Sequence, residues 1–334
     1  MVKCAPQGAK KWNAIMHESG YYSDLVEKGI SEIKYPQEPQ GLFAPIKYTL
    51  DGGGKRLRPV LMLATADAYG TDPERILDQA LGLEMFHNFT LLHDDVMDNA
   101  SVRRGRPTVH RRWNNSTAIL SGDAMLTMAT QLIARCDGDK LAGVLELFNT
   151  TAMEIYEGQQ YDMDFESRRD VTVEEYMEMI RLKTSVLLAC ACGMGALLAG
   201  APEEHRRAMY RYGELLGLAF QLQDDYLDTY GDPALFGKEI GGDIVNEKKT
   251  WLWINAMSER RDQMEQVLAR KLTDYLKIKE IRAIYDELEL DRRSHELIEQ
   301  YARDAVEALK GAGLTPGAEA FFARLASGLT GRVS

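Results

Sequence analysis

The chain has 334 residues, of which 45% are hydrophobic, and a formal net charge of -11 at pH 7. It can bury a large core, as one big helical domain or two smaller ones. The negative charge opposes general binding to nucleic acid or to an anionic bilayer, because both would be repelled at long range. These properties favour a small-molecule partner.

Helical spacing of apolar residues runs along almost the whole chain, with almost no strand-like alternation. The predicted helices cover residues 10–30, 40–50, 57–69, 74–99, 116–135, 140–167, 172–199, 203–230, 250–288, 291–310 and 315–328. Short breaks rich in Gly, Pro and Asp separate them, and no low-complexity linker is present. We therefore predict an all-α fold in which residues 1–334 form a single domain of packed helices.

Cysteine usage and the apolar segments indicate a cytoplasmic protein. The cysteines have neither the number nor the spacing of a disulfide framework or a zinc site; they are Cys4, Cys136, Cys190 and Cys192. The N-terminus lacks the apolar segment of a signal peptide. The most apolar run, 186–201, is short for a transmembrane segment and contains Gly193 and Gly195, so it predicts a buried core helix.

A glycine-rich loop precedes the helix predicted to begin at residue 57, and it reads Gly52-Gly53-Gly54-Lys55-Arg56-Leu57-Arg58-Pro59. Proline is tolerated in a first helical turn, and basic side chains at a helix N-terminus indicate an anion site. The segment is not a P-loop, because Lys55 is not followed by Ser or Thr. A glycine hinge with solvated basic residues is the alternative.

Two aspartate clusters share one pattern: Asp94-Asp95-Val96-Met97-Asp98 and Asp224-Asp225-Tyr226-Leu227-Asp228. Positions i, i+1 and i+4 of a helix lie within an arc of about 100°, so each cluster brings three carboxylates together. Their repulsion requires a compensating cation, and carboxylate oxygens suit Mg²⁺, which substrate phosphates usually complete. A solvated acidic face explains either cluster alone; the matched pair, preceded by apolar residues, favours paired ion sites facing a cavity.

A basic segment follows the first cluster, with Arg103-Arg104-Gly105-Arg106 and then His110-Arg111-Arg112. In an acidic protein, such a basic segment is explained if it binds the substrate phosphate oxygens that the Mg²⁺ ions do not reach. RNA binding is the alternative. It would need aromatic stacking platforms among the basic residues, and only Trp113 is nearby.

Three further features are ambiguous when each is taken alone. Lys183-Thr184 interrupts an apolar helix, where a buried ammonium is costly without an anion. Lys238 and the stretch 243–248 repeat the mixture of base and acid after the second cluster, as ordinary surface charges also would. His87 precedes Asp94 on roughly the same helix face and is equally compatible with a core histidine.

Together these motifs resemble, in order and spacing, those of the trans-isoprenyl diphosphate synthases, the polyprenyl synthetase family. The motifs are the loop 53–59, the cluster 91–98 running into 103–105, Lys183-Thr184, the cluster 221–228, and Gly237-Lys238 through 243–248. The resemblance implies the isoprenoid synthase fold, a bundle of helices around a central apolar cavity. It also implies a homodimeric short-chain prenyltransferase that condenses isopentenyl diphosphate with allylic diphosphates head to tail.

The resemblance further implies roles for individual residues. The ligands of three Mg²⁺ ions on the allylic diphosphate are Asp94, Asp98 and Asp224, supported by Asp95, Asp225 and Asp228. Direct contacts to that diphosphate come from Arg103, Lys183, Lys248 and Lys238. A separate metal-free pocket for isopentenyl diphosphate contains Lys55, Arg58, His87 and Arg104. The developing allylic cation is stabilised near Thr184 and Gln221.

Product length is expected to depend on the residues below the first aspartate cluster. The positions four, five and eight before Asp94 are Thr90, Phe89 and Phe86, and helix geometry points them down the tunnel. In the family, enzymes with aromatic residues at both the fourth and the fifth position before the first aspartate resemble farnesyl makers. Enzymes with an aromatic residue at the fifth position alone resemble archaeal geranylgeranyl makers. Phe89 with Thr90 therefore predicts geranylgeranyl diphosphate, with farnesyl diphosphate as the alternative.

Two other functions are compatible with a helical fold of this kind. A class I terpene cyclase usually has a mixed Asn/Ser/Glu second cluster and lacks the basic isopentenyl pocket, so Asp224 to Asp228, Lys55 and Arg58 oppose it. A non-catalytic regulatory subunit should have lost one acidic cluster, whereas this chain has both.

Overall fold

A computed structural model describes residues 16–232 and 240–330, and most of this part of the chain is helical. The longer helices are α1 (Ser19–Glu32), α2 (Gln40–Leu50), α3 (Leu57–Ala68), α4 (Leu77–Met97), α6 (Asn115–Ile133), α7 (Leu141–Ser167), α8 (Val173–Ile180), α9 (Val186–Leu198), α10 (Glu203–Tyr230), α12 (Trp251–Glu259), α13 (Arg261–Leu268), α14 (Asp274–Glu287), α15 (Leu290–Ala308) and α16 (Pro316–Thr330). The shorter elements are α5 (Val109–Arg112), α11 (Gly242–Val245), the 3₁₀ turns Pro73–Ile76 and Leu309–Gly311, a π turn (Arg181–Ser185), and the strands β1 (Val102–Arg103) and β2 (Arg106–Pro107). The predicted all-α class is confirmed.

Two of the predicted helices are interrupted. The prediction of one helix over 250–288 is wrong, because the backbone leaves the helical region at Arg260 (φ -138°, ψ 41°) and Thr273 caps a new start. The predicted helix 172–199 is broken by the π turn at Arg181–Ser185. Polar residues give little warning of either break, since apolar periodicity continues across both.

Side-chain caps explain several helix starts. Thr172 and Glu175 form a reciprocal capping box at α8, in which each side chain accepts the other's backbone N–H. Asn114 accepts the N–H of Thr117 at the start of α6, and Thr250 caps α12 in the same way. These residues satisfy backbone donors that the first turn of a helix leaves without a partner.

The described residues divide into two compact units. The first comprises the described parts of Met1–Val144, with Gly195–Pro202 and Gly313–Phe321. The second comprises Leu145–Met194, the described parts of Glu203–Ala312, and Phe322 onward. The expectation that residues 1–334 form a single domain stays a prediction.

In the first unit, α4 packs lengthwise against α6, and α3 and α1 pack on α4. The close approach of α4 and α6 requires Gly82, because a Cβ there would lie 2.7 Å from Ile133 Cγ1 and 2.9 Å from Ala129 O. The fully buried side chains of this unit include Tyr22, Leu61, Met62, Tyr69 and Phe86. The unit therefore holds the end of α4, and with it the first aspartate cluster, on a rigid base.

In the second unit, α10 packs against α15 and against the π turn. A Cβ at Gly217 would lie 2.5 Å from Ser185 Cα, so glycine lets α10 approach the backbone of the turn. The core of this unit gathers Tyr176, Leu252, Ile281, Tyr285 and other apolar side chains from α8 to α15. This packing fixes the second aspartate cluster of α10 relative to Lys183 and Thr184.

The stretch Val173–Leu198 is long and apolar enough, by composition, to cross a membrane. However, 78% of its most apolar window is buried inside the protein. That burial agrees with the core helix predicted from the run 186–201.

Candidate active site

The first aspartate cluster lies at the C-terminal end of α4. The helix ends there because Asn99 adopts a left-handed conformation (φ 53°) while Asp98 N–H still donates to Asp94 O at 2.9 Å. Asp98 is exposed and the Asp94 side chain is 19% exposed, whereas that of Asp95 is 8% exposed. Asp94 and Asp98 are therefore the accessible pair, and Asp95 turns inward.

Arg103 holds the buried carboxylate in place. Its Nε donates to Asp95 Oδ1 at 2.7 Å, and its Nη2 lies 3.6 Å from Asp94 Oδ2. Burial raises the pKa of Asp95, and the charge of Arg103 opposes that rise. The predicted phosphate contact Arg103 is thus also the partner of two acids in the first cluster.

A tight hairpin positions Arg103 and Arg104. Strands β1 and β2 pair Arg103 with Arg106, and the two residues between them, Arg104 and Gly105, have φ values of 52° and 73°. Two positive φ angles are typical of the type I′ turn that suits a two-residue hairpin. The turn directs the Arg104 guanidinium to Gly53 O in the glycine-rich loop.

The predicted isopentenyl pocket gathers arginines around a histidine. Arg58 Nη1 lies 3.1 Å from His87 Nε2. Because a guanidinium only donates, Nε2 accepts, and the imidazole proton is on Nδ1. Burial holds the pKa of His87 well below its usual range, and the charges of Arg58, Arg104, Arg103 and Arg56 lower it further. Burial likewise lowers the pKa of Arg58 to about 10. The predicted pocket residues Arg58 and His87 are thus in contact, and the role of the pocket as an anion site stays a prediction.

Arg56 is a residue whose role the sequence did not reveal. It is 4% exposed, adopts φ 47°, and donates to Glu84 at 2.8 Å and to Glu27 at 2.7 Å. Its Nη2 also donates to Leu50 O at 2.8 Å. Arg56 therefore ties the glycine-rich loop to the core, while the neighbouring Lys55 is exposed.

The second aspartate cluster lies near the end of α10 and divides in the same way. Asp224 is exposed, Asp228 is half-buried, and Asp225 is only 5% exposed. Asp225 accepts hydrogen bonds from Tyr176 OH at 2.6 Å and from Gln221 Nε2 at 2.9 Å. Burial raises the pKa of Asp225 to about 7, against the opposing charge of Lys248.

The start of the short helix α11 is hydrogen-bonded to Asp228 of this cluster. Asp228 Oδ2 accepts the backbone N–H of Asp243 at 2.9 Å, and Asp228 O accepts that of Gly241 at 2.6 Å. Burial raises the pKa of Asp243 to about 6, and the charge of Lys248 opposes the rise. Asp243 therefore belongs to the same acidic group as Asp225 and Asp228.

Lys248 and Lys183 are the cations of the second unit's site. Burial alone would lower the pKa of Lys248, but surrounding carboxylates raise it; these are Asp243, Asp225, Asp162 and Asp224. Lys183 Nζ donates to Asp162 Oδ2 at 2.5 Å. Burial would raise the pKa of Asp162, on α7, but the charges of Lys183 and Lys248 hold it below its ordinary value. No motif in the sequence singled out this residue.

The π turn presents Lys183 and Thr184. Val186 N–H donates to Arg181 O, five residues back, so the turn contains one residue more than an α-helical turn. Thr184 Oγ1 donates to Gln221 Oε1 at 2.9 Å, which links the turn through Gln221 to Asp225. The predicted Lys183, Thr184, Gln221 and Asp225 are therefore brought together, whereas Lys238 lies outside the described residues.

The residues predicted to set product length lie on one side of α4. Phe86 is fully buried and Phe89 is 6% exposed, with ring centroids 5.6 Å apart. Thr90 is half-buried and its hydroxyl donates to His87 O at 2.8 Å. Their control of chain length stays a prediction.

Accessible carboxylates are the available ligands for a divalent ion. Within 16–232 and 240–330, no three Asp, Glu, His or Cys side chains are arranged to hold a metal by themselves. The accessible acids of the two clusters are instead Asp94 and Asp98, at the C-terminal end of α4, and Asp224 on α10. Incomplete sets of hard oxygen donors fit Mg²⁺, which keeps several waters and is usually completed by substrate phosphates.

Comparisons with known proteins agree with this geometry. Residues 39–288 match the model of the polyprenyl synthetase family. The geranylgeranyl diphosphate synthase of Methanosarcina mazei is 40% identical over 71% of this chain and 74% of its own length. The short chain isoprenyl diphosphate synthase of Methanocaldococcus jannaschii is 39% identical over 77% of this chain and 80% of its own length.

Solved structures give the same result for the fold. A crystal structure of a geranylgeranyl pyrophosphate synthase is similar with a TM-score of 0.91 and 41% identity, covering 96% of this chain and 100% of the other. The geranylgeranyl pyrophosphate synthetase of Pyrococcus horikoshii has a TM-score of 0.87 and 32% identity, covering 93% and 96%. The isoprenoid synthase fold and the enzyme class expected from the motifs are confirmed. The chain belongs to the polyprenyl synthetase family and is a trans-prenyltransferase.

Proposed function

We propose that this enzyme condenses isopentenyl diphosphate with allylic diphosphates head to tail and releases a short-chain product. Geranylgeranyl diphosphate is the expected product, and farnesyl diphosphate is the alternative. Relatives named as geranylgeranyl, farnesyl and short-chain synthases support this range. The mixed pair Phe89 and Thr90 supports the choice within it.

The observation that carries the proposal is the contact of the Arg58 guanidinium with His87 at 3.1 Å, where burial and the charges of Arg104 and Arg103 also lower the pKa of the histidine. Arg58 and Arg104, with the exposed Lys55 beside them, supply donors for a diphosphate without needing a metal. A cyclase needs no second diphosphate site, so this cluster favours chain elongation. Because His87 is neutral, its Nδ1–H supplies one further donor.

We assign the allylic diphosphate to the aspartates and the remaining cations. Mg²⁺, when bound by Asp94, Asp98 and Asp224, would neutralise the diphosphate and make it a better leaving group. Arg103, Lys183 and Lys248 add fixed positive charge for the anion that develops as the C–O bond breaks. Asp95, Asp225 and Asp228 orient these groups through Arg103, Gln221 and the backbone of Asp243. Lys238 stays a predicted further contact.

The cation formed in that step needs dipoles but no protein nucleophile. The Thr184 hydroxyl donates to Gln221, so its oxygen lone pairs are free to face a positive carbon. The double bond of isopentenyl diphosphate attacks that carbon, and the departing diphosphate removes the final proton. This scheme accounts for a site built from acids, cations and amides.

We also propose a homodimer. Helix α6 exposes Ile119 and Leu120, at 47% and 60%, and α7 exposes Met153 and Tyr156, at 57% and 37%. Large apolar side chains exposed on successive helices are typical of association surfaces. Light scattering should give twice the 37.6 kDa chain mass; a monomer at micromolar concentration would contradict this. Cytoplasmic location stays a prediction.

Incubation with isopentenyl diphosphate and each allylic primer tests the function. Elongated diphosphates are expected with Mg²⁺ and none with excess EDTA. Cyclic hydrocarbons would support a cyclase, and absence of any product from a folded protein would support a regulatory subunit.

A further inference from the structure

His93, the residue before the first aspartate cluster, occupies a fitted position between α4 and α6. Its Nε2 lies 3.0 Å from Ile119 O and 4.0 Å from Asp123 Oδ1. A carbonyl only accepts, so the imidazole donates from Nε2, and this bond fixes the plane of the ring. The His93 side chain is 19% exposed, which makes the position largely enclosed.

The same ring is in contact with Phe89. The two ring centroids are 4.8 Å apart at 66°, an edge-to-face arrangement, and the Phe86 and Phe89 centroids are 5.6 Å apart at 47°. Such aromatic contacts favour one orientation of the ring over others. Phe89 therefore contacts both Phe86 and a histidine that is hydrogen-bonded to the backbone of α6.

Gly122 makes room for the imidazole. A Cβ at this position would collide with Nε2 and Cδ2 of His93. Gly122 is buried within α6, and its φ is not in the left-handed region. The absence of a side chain therefore serves the contact with His93, since backbone freedom is not required there.

We propose that His93 is a positioning residue for product length: it fixes Phe89 by bridging that ring to the backbone of α6. The inference rests on the proposed function and adds a residue to its specificity. Without the imidazole, the Phe89 ring can rotate into the vacated space. The tunnel then becomes deeper, which allows further additions of isopentenyl diphosphate. His93 does not contact the reacting atoms in this scheme.

Three variants test the proposal with product chromatography. His93→Ala and Gly122→Ala should each raise the ratio of the next longer product to the wild-type product by about tenfold, because small changes in pocket volume alter discrimination to this extent. His93→Gln retains an N–H that reaches Ile119 O, so it should keep a profile close to that of the wild type. His93→Ala removes the imidazole and Gly122→Ala displaces it, so the proposal can still be tested if one of these two variants does not fold.

Asp123→Asn is the matched control, because it leaves both the ring and the carbonyl contact in place, and its profile should be unchanged. An unchanged profile in a folded, active His93→Ala or Gly122→Ala enzyme would overturn the proposal. The proposal would also be overturned if His93→Gln made the longer product in the same proportion as His93→Ala. If the wild-type chain forms no elongated product, the proposed function fails instead, and the two failures are thereby distinguished.

Discussion

Lys183 Nζ and Asp162 Oδ2 are 2.5 Å apart, and Gly158, one turn before Asp162, makes that distance attainable. A Cβ at Gly158 would lie 2.8 Å from the carbonyl carbon of Leu182, so α7 approaches the π turn only with glycine there. Asp162 thus orients a lysine proposed to hold the allylic diphosphate.

Asp162→Asn should raise the KM for the allylic substrate by about tenfold, because it removes the charge that orients Lys183. The KM for isopentenyl diphosphate should change much less. Asp164→Asn is the control, since Asp164 is exposed and its carboxylate accepts a hydrogen bond from Gln160. Equal effects on both KM values would contradict the assignment of Lys183 to the allylic site.

The first aspartate cluster should separate catalysis from stability. Asp98→Asn is expected to lower kcat by more than about 100-fold while leaving the melting temperature unchanged, because Asp98 is exposed and is a proposed metal ligand. Asp95→Asn should instead cost about 1–3 kcal/mol of unfolding free energy, because it weakens the buried bond to Arg103. Calorimetry and initial rates on both variants test the division, which a stable Asp95→Asn protein would contradict.

Neighbouring arginines of the glycine-rich loop should behave differently. Arg56→Gln removes the partner of Glu84, whose side chain is 3% exposed, and should destabilise the fold by about 3–5 kcal/mol. Arg58→Gln should leave stability nearly unchanged and raise the KM for isopentenyl diphosphate by about tenfold or more. Chemical denaturation with substrate titration distinguishes the two; a selective effect on the allylic KM in Arg58→Gln would refute the pocket assignment.

Phe89→Ala should lengthen the product, because it removes an aromatic ring from the predicted floor of the tunnel. Phe89 is buried, so the change also leaves a cavity and should cost about 3–5 kcal/mol in stability. Chromatography of the dephosphorylated products below the melting temperature measures the outcome. An unchanged profile would refute the floor assignment.

Without bound substrate, Asp225 should make stability fall as pH rises. Its pKa is about 7 in the folded state, above the ordinary 3.8, so between these values the folded protein holds more protons than the unfolded one. The unfolding free energy contributed by this group therefore decreases from about pH 4 to pH 7 and is constant above.

Asp225→Asn should remove that decrease, so the variant gains about 4 kcal/mol relative to wild type between pH 4 and pH 7.5, since a shift of about three pKa units is worth about 1.4 kcal/mol per unit. The comparison is made by urea denaturation in EDTA. Parallel pH profiles for the two proteins would show that Asp225 does not carry the effect.

Some of the fold and site was readable from the sequence because it rests on local rules. Helical periodicity located most helices, and the order of the charged motifs identified the family. The division within each aspartate triplet was less accessible, since it depends on which carboxylate meets Arg103 or Tyr176. Asp162 and Arg56 were missed or misjudged because their partners are 21 and 28 residues away in the chain.

The breaks in the helices predicted over 172–199 and 250–288 were invisible for a related reason. Hydrophobic spacing continues across both interruptions, and tertiary packing decides where the backbone deviates. At the π turn, Ser185 is pressed against Gly217 of another helix, a contact that no local pattern encodes.

The π turn also changes which direction the side chains on either side of it face. One surplus residue rotates everything before it by about 100° relative to everything after it. That rotation allows Tyr176 to reach Asp225 while residues 186–196 remain buried. Deletion of one residue between 181 and 185 would restore an uninterrupted α-helix, but it would also rotate Tyr176 away from Asp225 and break their hydrogen bond. A change in the length of this stretch should therefore disturb the second aspartate cluster even when every side chain of the site is retained.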